Sequence, residues 1–310
     1  MQENKGYLQI SFAWLFAIIV GAVILFIAIF FSSKLIKTEQ EEISLKTGKE
    51  FGILLNPLET GFESLKSNSI IMPIESRIYN KCNLDGVFGR QRIQISQKNF
   101  GKWTETDLDV GFSNKYLFSE NVVEGKKYFL FSKPLNFPFK VTDLIIVTSS
   151  EKKYCFQNAP EEIANEISRI NQENLYVENC SKRNANVVIC FEGESGCNIN
   201  VDYEDGIVKK GSDTIYFEGD ALMYAAIFSD KNIYECQLKR IMKRIKTLST
   251  IYIDKANFVS MIGCNTNLNS DLLVLINLAD NLKSSSELNS IKLIADDIDE
   301  KNKEAICKLW

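Results

Sequence analysis

The feature that most constrains this chain is a run of apolar residues close to its N-terminus. No polar side chain occurs from Phe12 to Phe31, and no charged residue occurs between Lys5 and Lys34. Twenty residues of α-helix cover about 30 Å, the thickness of a bilayer's hydrocarbon layer, and a single segment can satisfy its own backbone there only as a helix. The sequence therefore predicts one transmembrane helix at residues 10–33.

Two other structures are compatible with such a run. A buried core helix rarely keeps twenty apolar residues on all of its faces, because one face normally meets water. A cleaved secretory signal has a shorter apolar stretch, about 7–15 residues, followed by a cleavage site of small residues. Neither pattern fits the run as well as a membrane anchor that stays on the chain.

The composition limits the chemistry of the remaining chain. Of 310 residues, 45% are hydrophobic and 25% are charged, and the net charge is -4, which is typical of an ordered globular protein and disfavours nucleic acid as a partner. There is no histidine. This excludes Ser-His-Asp and Cys-His nucleophiles as well as His-ligated metals, so an enzyme would depend on carboxylates, Lys, Tyr or Cys. We predict no cofactor and no metal site.

The residues ahead of the apolar run resemble a processing signal. Lys5-Gly6 are followed by Gln9, Ser11 and the hydrophobic stretch, an arrangement similar to the class III signal of archaeal type IV pilin-like proteins. The resemblance implies that a peptidase cuts after Gly6 and leaves the helix on the mature chain as a membrane anchor. Ala13 stands where that family carries Glu, so the resemblance implies pilin-like topology rather than filament assembly.

Two signals disagree on which side of the membrane the domain faces. Lys5 precedes the span while Lys34 and Lys37 follow it, which by the positive-inside rule favours a cytoplasmic domain. All eight cysteines lie after the span, and no C-x-x-C motif occurs. An even number of cysteines favours disulfides in an exported domain, with reduced thiols in a cytoplasmic domain as the alternative. The candidate disulfides are Cys190 with Cys197 across a hairpin, and Cys236 with Cys264 between helices.

After the anchor, the texture of the sequence predicts an α+β fold. A helical stalk is expected to end at Pro57, and short β-rich runs follow up to Phe217, interrupted by one helix from Pro160 to Asn174. From Glu218 onward the pattern is helical, and strands followed by helices indicate an α+β protein with mainly antiparallel strands. The predicted segments are a short tail (1–9), the transmembrane helix (10–33), the stalk (34–57), a β-rich extracytoplasmic region (58–217) and a helical C-terminal region packed on it (218–310).

One C-terminal helix, from about Lys231 to Lys255, carries a heptad seam of apolar residues. A seam of under three heptads favours packing within the domain, with a coiled coil between chains as the alternative. The seam consists of Tyr234, Leu238, Ile241, Ile245, Leu248 and Tyr252.

The same helix carries a run of basic residues on the face opposite the seam. Its simplest interpretation is a solvated face, and the functional alternative is attraction to anionic lipid headgroups or an acidic partner. These residues are Lys239, Arg240, Lys243, Arg244 and Lys246.

Acidic residues cluster at two places. Those near Gly206 are interpreted as a polar turn, with a calcium loop as the alternative, because the order of ligands of an EF-hand is not met. Those on the last helix suit a solvent-facing surface. The two clusters are Asp202, Glu204 and Asp205, and Asp296, Asp297, Asp299 and Glu300.

Together these patterns predict a single-pass, membrane-anchored protein of the cell envelope. Its domain is expected to be extracytoplasmic, to contain disulfides and to have a non-catalytic structural or interaction role. The expected partners are the lipid bilayer and an envelope protein or a second copy of the chain. Two alternatives stay open: a membrane-tethered, glycan-cleaving hydrolase that uses two carboxylates, and a cytoplasm-facing scaffold.

Overall fold

The structure is a computed structural model that describes residues 12–54, 67–99, 101–103, 109–181, 183–191, 193, 196–264 and 266–310, with the backbone alone for residues 36–54. The proposed processing site at Lys5 and Gly6 lies outside the described residues, as does Pro57, the expected end of the stalk.

The N-terminal apolar run forms the first half of one long helix, α1 (Phe12–Leu54). Its first 24 residues, Phe12–Leu35, have a mean hydropathy of 3.0, and none of this stretch is buried against the rest of the chain. An apolar helix left uncovered by its own protein is what a membrane span requires, because lipid replaces the missing contacts. The helix therefore fits a single-pass anchor that continues out of the membrane without a break.

The first sheet has seven strands, with the order β3-β2-β1-β6-β7-β5 and with β4 beside β2. Every pair of neighbouring strands in this sheet is antiparallel, except β5 and β7, which are parallel. The strands are β1 (Ser67–Asn83), β2 (Arg90–Asn99), β3 (Lys102–Trp103), β4 (Val110–Phe112), β5 (Leu117–Phe118), β6 (Val122–Asn136) and β7 (Lys140–Ser149).

The second sheet has six strands, with the order β13-β12-β11-β10-β8-β9. Four of them, β9, β8, β10 and β11, run parallel, whereas β11, β12 and β13 form an antiparallel meander. The strands are β8 (Tyr154–Gln157), β9 (Leu175–Val177), β10 (Val187–Phe191), β11 (Ile199–Asp202), β12 (Ile207–Lys210) and β13 (Asp213–Tyr216).

The parallel half of this sheet is an exception within a fold that was expected to have mainly antiparallel strands. Its cause is helix α2 (Glu161–Ile170), which connects β8 to β9 and returns the chain to the same end of the sheet, as a parallel crossover requires. Helix α2 begins after Pro160 and ends where Asn171 adopts a left-handed conformation, φ 51°. It is therefore shorter than the stretch from Pro160 to Asn174 that the sequence predicted.

The C-terminal helices are α3 (Gly219–Phe228), α4 (Lys231–Met261), α5 (Asn269–Asn281) and α6 (Leu288–Glu304), with a short 3-10 helix (Ser285–Glu287) before α6. Helix α3 is buried continuously from Ala221 to Phe228 and contacts β6 and β7 of the first sheet and β12 of the second. The two sheets and the helices consequently share one main hydrophobic core.

Strand β6 has apolar residues on both faces. Tyr128 and Leu130 face a smaller core formed within the first sheet, while Phe131 enters the main core and makes edge-to-face contacts with Tyr224 and Phe228 at 5.8 and 5.7 Å. The seam of α4 also packs inside the domain, since Tyr234 and the next three seam residues belong to the main core. The α+β class predicted from the sequence is confirmed.

Candidate functional site

All eight cysteines are joined in disulfides within the domain that follows α1. The Cα–Cα distances range from 5.5 to 6.2 Å, within the usual span for this bond. The pairs are Cys82–Cys236, Cys155–Cys180, Cys190–Cys197 and Cys264–Cys307. The local pair Cys190–Cys197 agrees with the sequence expectation, but it does not cross a hairpin, because β10 and β11 on either side of it are parallel.

The predicted pairing of Cys236 with Cys264 is wrong. Cys236 lies near the start of α4 and Cys264 lies just past its end at Met261. At 1.5 Å per residue, the helix holds two residues at this spacing roughly 40 Å apart, so they cannot meet. Cys236 is instead bonded to Cys82 on β1 and ties the helix to the first sheet, and Cys264 is bonded to Cys307 after α6.

The basic run on α4 was expected to face solvent, and Arg240 contradicts this interpretation because its side chain is fully buried. Among the described residues, its guanidinium donates only to neutral oxygen atoms. The acceptors are the carbonyl oxygens of Phe88 (3.1 Å), Phe112 (3.4 Å), Ser113 (2.9 Å) and Lys115 (2.8 Å) and the side-chain oxygen of Gln237 (2.6 Å).

The neighbours of Arg240 are also engaged by the domain. Lys243 donates to the carbonyl oxygens of Leu84 (2.7 Å) and Gly86 (3.1 Å) in the β1–β2 turn. Lys246 forms an ion pair with Asp280 of α5 at 2.8 Å. Arg244 approaches the ring of Tyr116 at 6.0 Å, and Lys239 is half-buried. The run therefore fastens α4 to loops of the first sheet and to α5, and it does not form a free cationic face.

Two partly buried carboxylates, Glu166 of α2 and Asp220 of α3, share one lysine. Both bind the ammonium of Lys133 on β6, directly in an ion pair for Glu166 and at 3.5 Å for Asp220. The hydroxyl of Tyr224 donates to Glu166 at 2.7 Å, and the hydroxyl of Tyr203 donates to Asp220 at 2.9 Å. Burial, together with the bond to Asp220, raises the pKa of Tyr203 to about 12.

This cluster differs from the site of a two-carboxylate hydrolase. A retaining glycosidase needs its two carboxyl groups about 5–5.5 Å apart in an open cleft, with one of them free to transfer a proton. Here the ammonium of Lys133 contacts both groups, and two tyrosine hydroxyls donate to them. The arrangement joins β6 to α2 and α3 and is what a stabilising polar cluster requires.

The two acidic clusters predicted from the sequence make contacts that stabilise a turn and a helix. Asp202 ends β11, and its carboxylate accepts a hydrogen bond from the backbone of Asp205 at 3.0 Å, which closes the turn to β12. Asp296, Asp297 and Asp299 of α6 form ion pairs along the helix, as Asp297 does with Lys301 at 2.6 Å. Within the described residues, no group of three or more Cys, Asp or Glu side chains is arranged to hold a metal ion.

A cleft opens where the chain leaves the first sheet for the second, between β7 and β8. Its volume is about 420 Å³, within the usual range for sites that bind small molecules. One wall of the cleft is formed by the paired strands β1 and β6. In this pair, Arg77 lies directly opposite Glu124, and Tyr79 lies opposite Val122. Because side chains alternate along a strand, these four point to the same face of the sheet.

The opposite wall and the floor of the cleft come from the second half of the domain. Glu151 and Lys152 belong to the connection between the sheets, and Tyr154 of β8 and Phe228 of α3 form a buried aromatic floor. Lys152 forms an ion pair with Glu120, which also lines the cleft. Sequence reasoning missed this cleft, because its residues come from four separate parts of the chain.

No family model, curated protein or solved structure matches this chain.

Proposed function

We propose that this chain is a membrane-anchored protein of the cell envelope whose disulfide-bonded domain lies outside the cytoplasm and has a structural or interaction role without catalysis. The observation that carries the proposal is the pairing of all eight cysteines in one domain behind an N-terminal apolar helix. Stable disulfides form in oxidising compartments and are rare in the cytosol, where thiols are kept reduced.

The lysines beside α1 favour the opposite orientation, since Lys34 and Lys37 outnumber Lys5. This difference is a single positive charge. Four disulfides in a domain of this size carry more weight, because each of them would have to persist against the reducing poise of the cytosol. The balance of the two signals supports export of the domain.

The proposed non-catalytic role is supported by the contacts of the carboxylates that could act in catalysis. The carboxylates of Glu166 and Asp220 are bound by Lys133, and the sequence contains no histidine that could activate a nucleophile. The topology of one anchor helix continuing into a stalk resembles that of pilin-like proteins, and the partners we propose are the bilayer and an envelope protein or a second copy.

The test is labelling of thiols in intact cells with a membrane-impermeant maleimide. We expect no labelling of native cells and strong labelling after treatment with an impermeant reductant, because the cysteines are bonded and lie outside. A matched variant in which Cys190 and Cys197 are both serine should lose a quarter of the label after reduction.

If the thiols are labelled as soon as the cells are opened, without any reductant, they are reduced and lie in the cytoplasm. That outcome would overturn the proposal in favour of a cytoplasm-facing scaffold. Hydrolysis of envelope glycans by the purified protein, lost in Glu166→Gln, would overturn the non-catalytic role alone.

A further inference from the structure

We propose that the cleft between the two sheets binds a small organic cation, an ammonium group carried on an apolar body. Binding in this cleft does not require the domain to lie on a particular side of the membrane, so it can be tested separately from the proposed location of the domain. Three properties of the cleft support it: its position at the junction of the sheets, one unbalanced carboxylate, and an apolar floor.

The cleft is built from rigid elements. Arg77 and Glu124 form a cross-strand ion pair at 2.7 Å, and the hydroxyl of Tyr128 fixes the backbone on either side of it by donating to Ser76 (2.6 Å) and Gly125 (3.1 Å). The backbone of Lys152 donates to Ser149 at 3.3 Å, which turns the chain towards the second sheet. Groups held in this way keep their positions before a ligand arrives, which reduces the entropy cost of binding.

The charges of the lining leave one carboxylate without a counter-charge. Arg77 is paired with Glu124, and its guanidinium carbon also lies 3.9 Å from the centre of the Trp103 ring. Lys152 is paired with Glu120. Glu151 is exposed and forms no ion pair with any residue in the described part of the chain. The cleft therefore favours a ligand with one positive charge.

The rest of the lining is apolar and aromatic. Tyr154 and Phe228 form the floor, and Val122 stands at the mouth with 39% of its surface exposed. Apolar side chains of this kind favour a ligand with an apolar body over a bare inorganic ion. Burial raises the pKa of Tyr154, so its hydroxyl stays protonated and adds no charge. An alkyl or aryl ammonium satisfies both parts of the cleft.

The experiment is calorimetric titration of the full-length protein in detergent micelles with benzylamine and with its neutral analogue, benzyl alcohol. We expect saturable binding of one molecule, with benzylamine about five-fold tighter, the upper end of what a half-exposed charge pair contributes. The same ammonium group also occurs on lysine side chains, so Nα-acetyl-lysine methylamide is a third ligand. Whether it or benzylamine binds more tightly distinguishes a peptide lysine from a free amine.

Two variants tie the binding to the cleft. Glu151→Gln should bring the affinity for benzylamine down to that for benzyl alcohol, while Glu300→Gln on the solvent face of α6 should change neither. Val122→Trp, which fills the mouth from a partly exposed position, should abolish binding of all three ligands. Equal affinity for the amine and the alcohol, an unchanged ratio in Glu151→Gln, or no saturable binding would each overturn the proposal, provided that circular dichroism shows folded protein.

Discussion

The guanidinium carbon of Arg240 lies 4.7 Å from the centre of the Tyr116 ring, and both side chains are fully buried. No carboxylate accepts from Arg240 among the described residues; its partners are carbonyl dipoles, one amide oxygen and this aromatic face. Burial lowers the pKa of Arg240 to about 10, so the group is still charged at neutral pH. A buried charge of this kind fixes the loops around it, since each carbonyl would be left without a donor if the arginine were lost.

Replacement of Arg240 by methionine should therefore lower the free energy of unfolding by about 3 kcal/mol, because several buried carbonyl groups lose their only charged donor. Lys239→Met on the same helix is the control and should change it by less than about 0.5 kcal/mol, since Lys239 is only half-buried. Urea denaturation of both variants with the disulfides intact makes the comparison. Equal losses would show that the contacts of Arg240 have no special role.

The disulfides should differ in their contribution according to the loop that each closes. Cys82–Cys236 spans 154 residues and Cys190–Cys197 spans 7. The chain-entropy model gives about 5 kcal/mol for the first and about 2.5 kcal/mol for the second. Paired alanine substitutions at each bridge, compared by thermal and urea unfolding, measure the difference. A larger loss from the short bridge would contradict an entropic origin.

Several features were accessible from the sequence because they depend on local pattern. The apolar run fixed the position of α1, Pro160 marked the start of α2, and the spacing of Tyr234 and its seam fixed the buried face of α4. The pairing of Cys190 with Cys197 could be predicted for the same reason, because the two cysteines are only 7 residues apart in the sequence. The mistaken pairing of Cys236 with Cys264 was also avoidable, since a straight helix of that length keeps its ends apart.

Other features depend on contacts between distant parts of the chain. Five basic residues on a helix ordinarily face water, and only the loops at Phe88 and at Phe112–Lys115 supply the carbonyl oxygens that draw Arg240 inward. The cleft requires the register that sets Arg77 opposite Glu124, together with the crossing from β7 to β8. A sequence pattern contains neither register nor crossing, so it could not predict these residues.

Removal of residues 1–33 should release the protein from the membrane fraction, because Phe12–Leu35 is the one described helix long and apolar enough to span a bilayer. Ultracentrifugation of lysates that contain either the full chain or the shortened chain makes the comparison. The shortened chain should appear in the supernatant. Its persistence in the membrane pellet would show a second attachment to the bilayer.

Lys210 should make the stability of the domain depend on pH. Its ammonium donates to the carbonyl oxygen of Ser229 at 2.6 Å, and burial lowers the pKa of Lys210 to about 8 from an ordinary 10.5. Between these values the unfolded chain binds more protons than the folded one, so the free energy of unfolding rises with pH.

The measurement is urea unfolding of the wild type and Lys210→Met from pH 7 to pH 9.5. The wild type should gain about 1–2 kcal/mol relative to the variant across this range. Lys209→Met, at the exposed neighbouring position, should follow the wild type. Parallel pH profiles for wild type and Lys210→Met would show that the amine is not desolvated.

The ion pair between Lys133 and Glu166 should stabilise the folded domain, and substitutions can measure its contribution. Both side chains are 13% exposed, so Lys133→Met leaves a carboxylate without its counter-charge in a poorly solvated position, and we expect a loss of about 3 kcal/mol in the free energy of unfolding. Adding Glu166→Gln removes that charge while keeping an acceptor for Tyr224, and it should restore more than half of the loss. The matched control is Lys127→Met, because its partner Glu173 is 76% exposed and the pair should contribute less than about 1 kcal/mol. If the double variant is no more stable than Lys133→Met, the two groups are not coupled and the cluster does not act as a stabilising pair.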